Sequence, residues 1–407
     1  RQEMIDEGRS INLALSNRGI RALDEVGLAS EVKRITIPMH GRMIHALDGS
    51  LAFQPYGKEG QFINSVSRSS LNKLLIETAE TMGAKFYFEH RVGNINLQDT
   101  TLTVEAEGSV QVLSFDSIVG ADGAFSAVRH AMQFTDRYDF SQDFIDHGYK
   151  ELQIPAGKNG NFHLEKNALH IWPRESFMLI ALPNTDGSFT CTLFFPFEGA
   201  LSFNTLQSDE SIKVFFKENF PDALKLMPDL VSDFKTNATA SLVTIKCYPW
   251  VRNKSLLIGD AAHAIVPFYG QGMNAGFEDC RILNQLLQMH NDDWAKAILL
   301  FQETRKNDTD AIAQLALDNF IEMRDHVADA RFLLRKKIEA KLHELYPDKW
   351  VPLYSMVTFH DEIRYSEALT IGSIQKKIMD EVMLMPDIAL TWENLDFERL
   401  VHQLPAT

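Results

Sequence analysis

The spacing of apolar residues alternates between helical and extended patterns over the first third of the chain. Residues 16–26 carry apolar positions at helical spacing, and we expect a helix that begins after Ser16 and ends at Gly27. Residues 70–82 predict a second amphipathic helix, whereas residues 35–53 are typical of extended chain. Helices that alternate with strands in this way favour an α/β fold.

A different pattern covers the middle of the chain. Between residues 149 and 196, apolar and aromatic residues form three extended runs, at 169–172, 177–182 and 189–195. The sequence Asn-Thr-Asp-Gly at 184–187 separates the last two runs and is typical of a hairpin turn. We therefore expect a separate, mostly antiparallel sheet in this part of the chain.

The end of the chain is mostly helical in pattern. After residue 292, helical spacing dominates, with one long run from about residue 310 to residue 345 that Pro347 closes. Together, the three patterns predict an α/β nucleotide-binding domain, an inserted and mostly antiparallel β domain, and a helical C-terminal region. In such folds, ligands bind where the domains meet.

One predicted strand–loop–helix segment carries the most specific chemistry. The apolar run from Ser255 ends in Gly259-Asp260, a loop with proline and glycine follows, and an amphipathic segment begins near Met273. A helix that begins there directs free N–H groups and partial positive charge back at the loop, where they suit an electron-rich edge of a ligand. The carboxylate of Asp260 suits the hydroxyl groups of a polyol.

The composition narrows the class of protein. The 407 residues carry a net charge of -15, which disfavours nucleic acid as a partner because nucleic-acid binding needs a basic face. The three cysteines are isolated, so neither a disulfide framework nor a zinc site is expected. The sequence contains no apolar run of about 18 residues and no apolar leader. We therefore expect no transmembrane helix and no signal peptide, and a cytoplasmic location.

The strand–loop–helix segment resembles the second flavin-binding motif of the single-component flavoprotein aromatic hydroxylases. The matching residues are Gly-Asp-Ala-Ala-His at 259–263 and Pro-Phe-Tyr-Gly-Gln-Gly-Met-Asn at 267–274. The resemblance implies that Asp260 binds the ribityl chain of FAD and that residues 272–274 line the N1/O2 edge of the flavin. Tyr269 stands where relatives often carry His or Phe. Residues 119–129 resemble the Asp-Gly motif of the same family, which implies that Asp122 serves the binding of flavin and nicotinamide nucleotide.

Further segments resemble the kynurenine 3-monooxygenases within that family, namely residues 8–15, 41–45, 54–57, 67–72, 317–323 and 352–359. By that resemblance, Arg42 and Tyr56 bind the carboxylate of the substrate, because an arginine beside a tyrosine hydroxyl holds a carboxylate well. Asn319 and Tyr354 complete this polar clamp. The implied wall around the substrate ring consists of Ile180, Leu182, Phe194, Phe268 and Met323. The implied cofactor-binding residues are Arg9, Arg68, Asp122, Gly259, Asp260, Pro267, Gly270, Gly272, Met273 and Asn274.

The resemblance also implies an activity. FAD and NADPH are the implied cofactors, and a C4a-hydroperoxyflavin formed with O2 hydroxylates L-kynurenine to 3-hydroxykynurenine in tryptophan catabolism. The hard chemistry then belongs to the cofactor, and we expect no catalytic side chain and no metal. The implied architecture is a Rossmann-like FAD-binding domain, an inserted β-sheet substrate domain and a helical C-terminal region. The FAD-binding domain would comprise residues 1–35, 64–135 and 240–310. The substrate domain would comprise residues 36–63 and 136–239, and the C-terminal region residues 311–407.

Flavin hydroxylases open with a Gly-x-Gly-x-x-Gly unit that places the pyrophosphate at a helix N-terminus. No such unit occurs near residue 1, and we expect that the sequence lacks this opening segment. If the protein instead had no dinucleotide fingerprint at all, its affinity for flavin would be in doubt. Some relatives carry a C-terminal membrane anchor, but residues 393–399 are too charged for one.

Alternative interpretations stay open from the sequence. The protein could hydroxylate a different aromatic acid, or it could be a catalytically silent flavin-binding module. Arg42 could be a solvated strand residue, Asn319 a polar helix position and Tyr354 a core residue, while Arg68 could simply flank a helix. We interpret His263 as a packing or hydrogen-bonding residue rather than a base, because no partner carboxylate can be named from the sequence.

Overall fold

The structure, a computed structural model, describes residues 12–57, 60–325 and 330–404. In chain order, its first elements are β1 (Asn12–Leu15), α1 (Asn17–Glu25), α2 (Ala29–Arg34), β2 (Thr36–Met39), β3 (Gly41–His45), β4 (Leu51–Pro55), β5 (Ile63–Ser67) and α3 (Arg68–Thr81). Helices α1 and α3 confirm the two helices that the apolar spacing predicted. The Ser67 hydroxyl accepts a hydrogen bond from the backbone N–H of Ser70 at the start of α3, which satisfies one of the free donors of that helix.

Strands dominate the middle of the chain. They are β6 (Arg91–Asn96), β7 (Thr101–Ala106), β8 (Ser109–Ser114), β9 (Ile118–Gly120), then helix α4 (Ala127–Gln133), β10 (Asp139–Ile154), β11 (Ala168–Arg174), β12 (Phe177–Pro183) and β13 (Phe189–Pro196). Three helices follow, α5 (Asp209–Asn219), α6 (Pro221–Leu224) and α7 (Leu230–Thr236). The three extended runs predicted here are β11, β12 and β13, and the Asn-Thr-Asp-Gly turn joins the last two as a hairpin.

The last part of the chain leads from a small sheet into helices. Its elements are β14 (Thr239–Tyr248), β15 (Val251–Arg252), β16 (Ser255–Leu257), α8 (Asp260–His263), α9 (Gly272–Met289), α10 (Trp294–Asp325), α11 (Ala330–Leu345), α12 (Leu353–Thr358), α13 (Tyr365–Met383), α14 (Ile388–Thr391) and α15 (Phe397–Val401). The helix expected from about residue 310 already begins at Trp294, because neither glycine nor proline interrupts α10. In the part of the chain that the structure describes, no helix is long and apolar enough to cross a membrane.

The largest sheet has seven strands in the order β14-β10-β13-β12-β11-β3-β4. All neighbouring strands in it pair antiparallel except β11 and β3, which are parallel. Successive side chains of a strand point to opposite faces of the sheet. Phe177, Leu179 and Phe195 therefore share one face and pack against α5, α6 and α7. Ile180 and Phe194 share the opposite face, which packs against the loop between α8 and α9.

Three smaller sheets have the strand orders β1-β5-β2, β15-β16-β9 and β6-β7-β8. Strand β16 runs parallel to β9, with Ser255 opposite Ile118, so the carboxyl ends of both strands lie at one edge. Ligands of α/β sheets bind at such an edge, and the Asp122 and Asp260 motifs follow these two strands. The predicted fold class is confirmed, since sheets, helices and a helical C-terminal region are all present. The domain boundaries stay a prediction.

Candidate active site

The Gly259-Asp260 turn follows β16 and leads the chain into the short helix α8. Gly259 has a φ of 59°, a backbone conformation that favours glycine. A Cβ built on Gly259 would have no atom within 4 Å among the described residues. Asp260 is exposed, and its carboxylate has no hydrogen-bond or ion-pair partner in the described part of the chain. The turn thus combines an open backbone with an unengaged carboxylate, which fits the ribityl hydroxyls of a flavin nucleotide.

Helix α9 begins directly after the loop, and its second and third turns lie beside the Gly259-Asp260 turn, since Oδ2 of Asp279 accepts from the backbone N–H of Gly259 at 3.1 Å. The residue before it, Gln271, makes no capping hydrogen bond with its side chain. The backbone N–H groups of the first turn, from Gly272 on, have no acceptor within the helix. Gly270, with a φ of 66°, lets the chain turn sharply into the helix. An 18-residue helix with free N-terminal amides stabilises negative charge, such as that gained by the pyrimidine edge of a flavin on reduction.

Asn274 joins this loop to the start of the chain. Its Oδ1 accepts from the backbone N–H of Ser16 at 2.9 Å, and its Nδ2 donates to the carbonyls of Ala14 and Gly270 at 2.8 Å each. These bonds occupy the side chain of Asn274, so the flavin contact predicted for it is left to its backbone N–H. The side chain of Met273 packs with the apolar cluster under α1, which likewise leaves its backbone for the flavin.

Arg42, Tyr56 and Tyr354 come together from three separate parts of the chain. The guanidinium carbon of Arg42 lies 4.8 Å from the ring centre of Tyr354 and 5.5 Å from that of Tyr56. The rings of Tyr56 and Tyr354 stack with their centres 5.5 Å apart. Tyr269 stacks on Tyr354 at 5.6 Å and belongs to the loop of residues 264–271 between α8 and α9, which we call the flavin loop. The predicted carboxylate clamp therefore lies in contact with the loop that precedes α9.

Two polar atoms of this clamp lack partners within the described residues. The Nε of Arg42 and the hydroxyl of Tyr56 are buried without a hydrogen bond there, and no carboxylate of that part of the chain lies within ion-pair distance of Arg42. Burial raises the pKa of Tyr56 well above its ordinary value, so its hydroxyl keeps its proton and can donate. Because unpaired buried polar groups are costly, the arrangement fits an anionic group of a ligand, such as a carboxylate.

Apolar side chains continue from the clamp toward the flavin loop. Ile180 and Leu182 of β12 pack with the clamp tyrosines. The ring centre of Phe194 lies 5.0 Å from that of Phe268, which in turn stacks on Phe320 at 4.3 Å. Ile180 also packs in the cluster that contains Phe194 and Phe268. The structure thus brings together the four described residues predicted to wall the ring of the substrate.

Asn319 and Pro267 shape the turn that carries Phe268. Pro267 begins this short 3-10 turn, because the fixed φ of proline suits the first position of a helical turn. The side-chain Nδ2 of Asn319 donates to the carbonyl of Phe268 at 2.7 Å. Asn319 therefore holds the flavin loop against α10, and its predicted contact with the substrate carboxylate stays a prediction.

The remaining predicted cofactor residues differ in how engaged they are. Asp122 accepts from the backbone N–H groups of Ala127 at 2.7 Å and Val128 at 3.3 Å, which makes its carboxylate a cap for α4. Arg68 is exposed at the start of α3, and its positive charge acts on the nearby Tyr149. Arg9 and the side chain of Met323 were predicted to bind the cofactor and the substrate, and both lie outside the described residues.

A buried ionic cluster lies behind the flavin loop, and we did not predict it from the sequence. Asp279 is fully buried; its Oδ2 lies 3.1 Å from the Gly259 backbone nitrogen and 2.6 Å from Nε2 of His263. Its Oδ1 accepts from Nε of Arg305 at 2.8 Å. Burial alone would raise the pKa of Asp279, but the ion pair with Arg305 and the hydrogen bond with His263 hold this pKa below its ordinary value. The hydrogen-bonding role expected for His263 thus has a partner.

A sequence signal for this cluster did exist. Glu278 and Asp279 lie on the same buried side of α9 as Ala275 and Leu286, where an amphipathic helix normally places apolar residues. A carboxylate at such a position needs a charged partner when the helix packs. Arg305 and Arg18 supply it, from α10 and α1, with nitrogen–oxygen distances to Glu278 of 2.7 and 2.9 Å.

Comparison with known proteins identifies the class of protein. Residues 2–319 match the family described as FAD binding domain. The solved structure of the tetrameric form of 2-methyl-3-hydroxypyridine-5-carboxylic acid oxygenase is similar in fold, with a TM-score of 0.64 at 22% identity over 80% of this chain and 84% of that chain. Together with the relatives in sequence described next, the family match defines an FAD-dependent aromatic monooxygenase.

The relatives in sequence are more specific. The chain is 51% identical over 400 residues to a kynurenine 3-monooxygenase of Flavobacterium johnsoniae, across 98% of this chain and 89% of the relative. It is 47% identical over 390 residues to that of Dictyostelium discoideum, across 92% of this chain and 84% of the relative. The chain belongs to the kynurenine 3-monooxygenase family.

Proposed function

We propose that this protein hydroxylates L-kynurenine to 3-hydroxykynurenine in tryptophan catabolism. In the balanced reaction, kynurenine, NADPH, a proton and O2 give 3-hydroxykynurenine, NADP+ and water. The observation that carries the proposal is the pair of unsatisfied polar groups on Arg42 and Tyr56 beside an aromatic wall. Kynurenine presents the matching groups, a carboxylate at one end and an aminophenyl ring at the other.

The clamp explains how the substrate is oriented. The guanidinium of Arg42 and the hydroxyl of Tyr56 donate charge-assisted hydrogen bonds to the carboxylate, and Asn319 and Tyr354 complete the clamp. The ring then extends toward Phe268 along Ile180, Leu182, Phe194 and Met323. The amino group of kynurenine donates electron density to the ring carbon next to it, so that carbon accepts an electrophilic oxygen. Orientation of this carbon is therefore the main task of the protein.

The flavin loop explains how the cofactor is held. FAD, when bound, supplies the activation of O2 with electrons from NADPH. Asp260 binds the ribityl hydroxyls, and the N-terminal amides of α9 stabilise negative charge at the flavin edge. The backbone lies close to the cofactor at Gly259, Pro267, Gly270, Gly272, Met273 and Asn274, while Arg9, Arg68 and Asp122 bind its remaining parts or the nicotinamide nucleotide. The buried rings of Phe268 and Tyr269 keep water from the reacting atoms.

NADPH oxidation by the FAD-loaded protein, with and without L-kynurenine, tests the proposal. We expect oxidation that kynurenine stimulates, together with a product whose mass has gained one oxygen atom. Stimulated oxidation that yields only hydrogen peroxide would make kynurenine an effector and would point to another aromatic acid as the substrate. Absence of any stimulation would contradict the kynurenine assignment while leaving FAD binding intact.

A further inference from the structure

Arg18 is a buried cation at an unusual place. It is the second residue of α1, only 2% of it is exposed, and no acidic residue occurs in the first turn of that helix. Positive charge near a helix N-terminus is unfavourable for the helix itself, because it opposes the helix dipole. Burial of an arginine also costs free energy unless its donors are paired. The position therefore calls for an explanation other than the stability of α1.

The guanidinium of Arg18 binds the chain segment of residues 353–363, which we call the clamp segment because it carries Tyr354. Its Nε donates to the carbonyl of Val357 at 3.0 Å, and its Nη2 donates to the carbonyls of His360 and Ile363. Asn17, the neighbouring residue, donates to the carbonyl of Phe359 at 2.9 Å. All four acceptors are backbone oxygens just after the end of α12 or within its last turn, where carbonyls lack helical partners.

On its other side, the same guanidinium binds α9, which we call the flavin helix because its N-terminus follows the flavin loop. Its Nη1 pairs with Oε1 of Glu278 on α9 at 2.9 Å, and Arg305 fixes the second oxygen of Glu278 at 2.7 Å. The guanidinium also stacks on the ring of Tyr365, with its central carbon 4.0 Å from the ring centre. The Tyr365 hydroxyl donates to Oε1 of Gln271, the residue that precedes α9, at 2.9 Å. Arg18 therefore touches both the clamp segment and the helix whose N-terminus faces the flavin.

We propose that Arg18 is a positioning residue that fixes the clamp segment relative to the flavin helix. Through the position of Tyr354, Arg18 sets the affinity for the substrate. Through the distance between the substrate ring and the flavin, it sets the fraction of oxidised NADPH that yields hydroxylated product rather than peroxide. The inference rests on the proposed function. Well-placed substrate gives hydroxylated product and water for each NADPH. Poorly placed substrate lets NADPH, a proton and O2 end as NADP+ and hydrogen peroxide, because the site then excludes water less well.

The test compares Arg18→Gln with Arg21→Gln. Arg21 lies one turn further along α1 and pairs with Asp361 of the same clamp segment at 2.6 Å, but on the surface, with 47% of its side chain exposed. Both variants are loaded with FAD, titrated with L-kynurenine by the change in flavin absorbance, and assayed for product and peroxide per NADPH. For Arg18→Gln we expect a kynurenine Kd raised roughly tenfold or more and a clear shift from product to peroxide. The FAD affinity of both variants and the kynurenine Kd of Arg21→Gln stay near wild type.

A control separates positioning from general loss of stability. Leu342→Ala creates a cavity in a separate apolar cluster of C-terminal helices that contains neither Arg18 nor a residue of the clamp segment, so it lowers Tm without removing a contact of either. Each variant is assayed at a temperature the same number of degrees below its own Tm. If Leu342→Ala then raises the peroxide yield as much as Arg18→Gln does, the proposal is overturned. It is also overturned if Arg18→Gln has the same kynurenine Kd and the same ratio of product to peroxide as Arg21→Gln.

Asn17→Ala carries the test if Arg18→Gln fails to fold. This variant removes only the bond to the Phe359 carbonyl and leaves the buried ion pair in place. We expect a smaller rise in the kynurenine Kd with unchanged FAD affinity, and an unchanged kynurenine Kd would contradict the proposal. Failure of the proposed function is seen separately, because wild-type protein would then show no oxidation stimulated by kynurenine.

Discussion

Replacement of Arg42 by glutamine tests the carboxylate clamp most directly. The variant keeps a polar side chain of similar reach but removes the cation, so the substrate carboxylate would retain the Tyr56 hydroxyl and lose its charged partner. In the described residues Arg42 has no carboxylate of its own, so the substitution breaks no ion pair in the free protein. The effect is therefore expected on ligand binding rather than on folding.

The structure allows the magnitude to be worked out. Removing one partner of a buried, hydrogen-bonded charge pair costs about 2–5 kcal/mol. The Nε of Arg42 is buried and the stacked tyrosines shield the guanidinium, so we take about 3 kcal/mol, which is a rise in Kd of roughly 100-fold. Arg42→Lys keeps the charge but not the planar pair of donors, and we expect a loss of roughly tenfold.

The assay is a titration of FAD-loaded protein with L-kynurenine, followed by flavin absorbance, and repeated with the analogue that lacks only the carboxylate. Wild type should bind kynurenine much more tightly than the analogue. Arg42→Gln should bind kynurenine about as weakly as the analogue, whose own affinity should not change. FAD retention should not change. Equal loss of affinity for both ligands would show that Arg42 acts on something other than the carboxylate, and an unchanged kynurenine Kd would remove Arg42 from the site.

Three further predictions concern the cofactor, the flavin loop and pH. Asp260→Ala should lower the FAD content after gel filtration, since the ribityl chain loses its acceptor; a fully yellow variant would count against that role. Asn274→Ala removes three hydrogen bonds and should lower the free energy of unfolding in urea by about 3 kcal/mol, whereas a loss under about 1 kcal/mol would mean that the loop relaxes around it. Burial lowers the pKa of His170 to about 4. Because this folded-state pKa lies below the ordinary value, the contribution of His170 to stability is full above about pH 6.5 and is lost as pH falls toward 4, by up to about 3 kcal/mol. Urea unfolding between pH 7 and 4 should therefore depend less on pH in His170→Gln than in wild type, and exposed His402→Gln should behave as wild type does.

Local patterns predicted much of the architecture. Apolar spacing predicted α1 and α3, the Asn-Thr-Asp-Gly turn predicted the β12–β13 hairpin, and the Gly259-Asp260 motif predicted a strand that runs into a tight turn. These features depend on residues close together in the chain, where side-chain period and glycine conformation decide the outcome. The substrate clamp was named through resemblance to a family, and the structure brings Arg42, Tyr56 and Tyr354 together.

Side-chain partners across long separations could not be predicted. Asn274 was predicted to line the flavin edge, and the sequence did not indicate that its side-chain amide binds Ser16, Ala14 and Gly270. The contact of Asn319 with the substrate stays a prediction, and the sequence did not indicate the hydrogen bond from its Nδ2 to the carbonyl of Phe268. An amide or carboxylate can satisfy itself with any nearby donor or acceptor, and sequence spacing does not say which one the fold brings within about 3 Å.

The sequence by itself determined the class of fold, which follows from periodicity and from backbone conformations that a few glycines allow. It also carried the flavin motif, which was identified by its resemblance to the flavoprotein hydroxylases. Only the tertiary structure decided how the buried charges are paired. Arg18 and Glu278 lie 260 positions apart in the chain, and His263 meets Asp279 because α9 folds back over the turn that precedes it. Coulomb attraction and hydrogen bonding act over a few ångströms, so these pairs exist only once packing has brought α1, α9 and the clamp segment together.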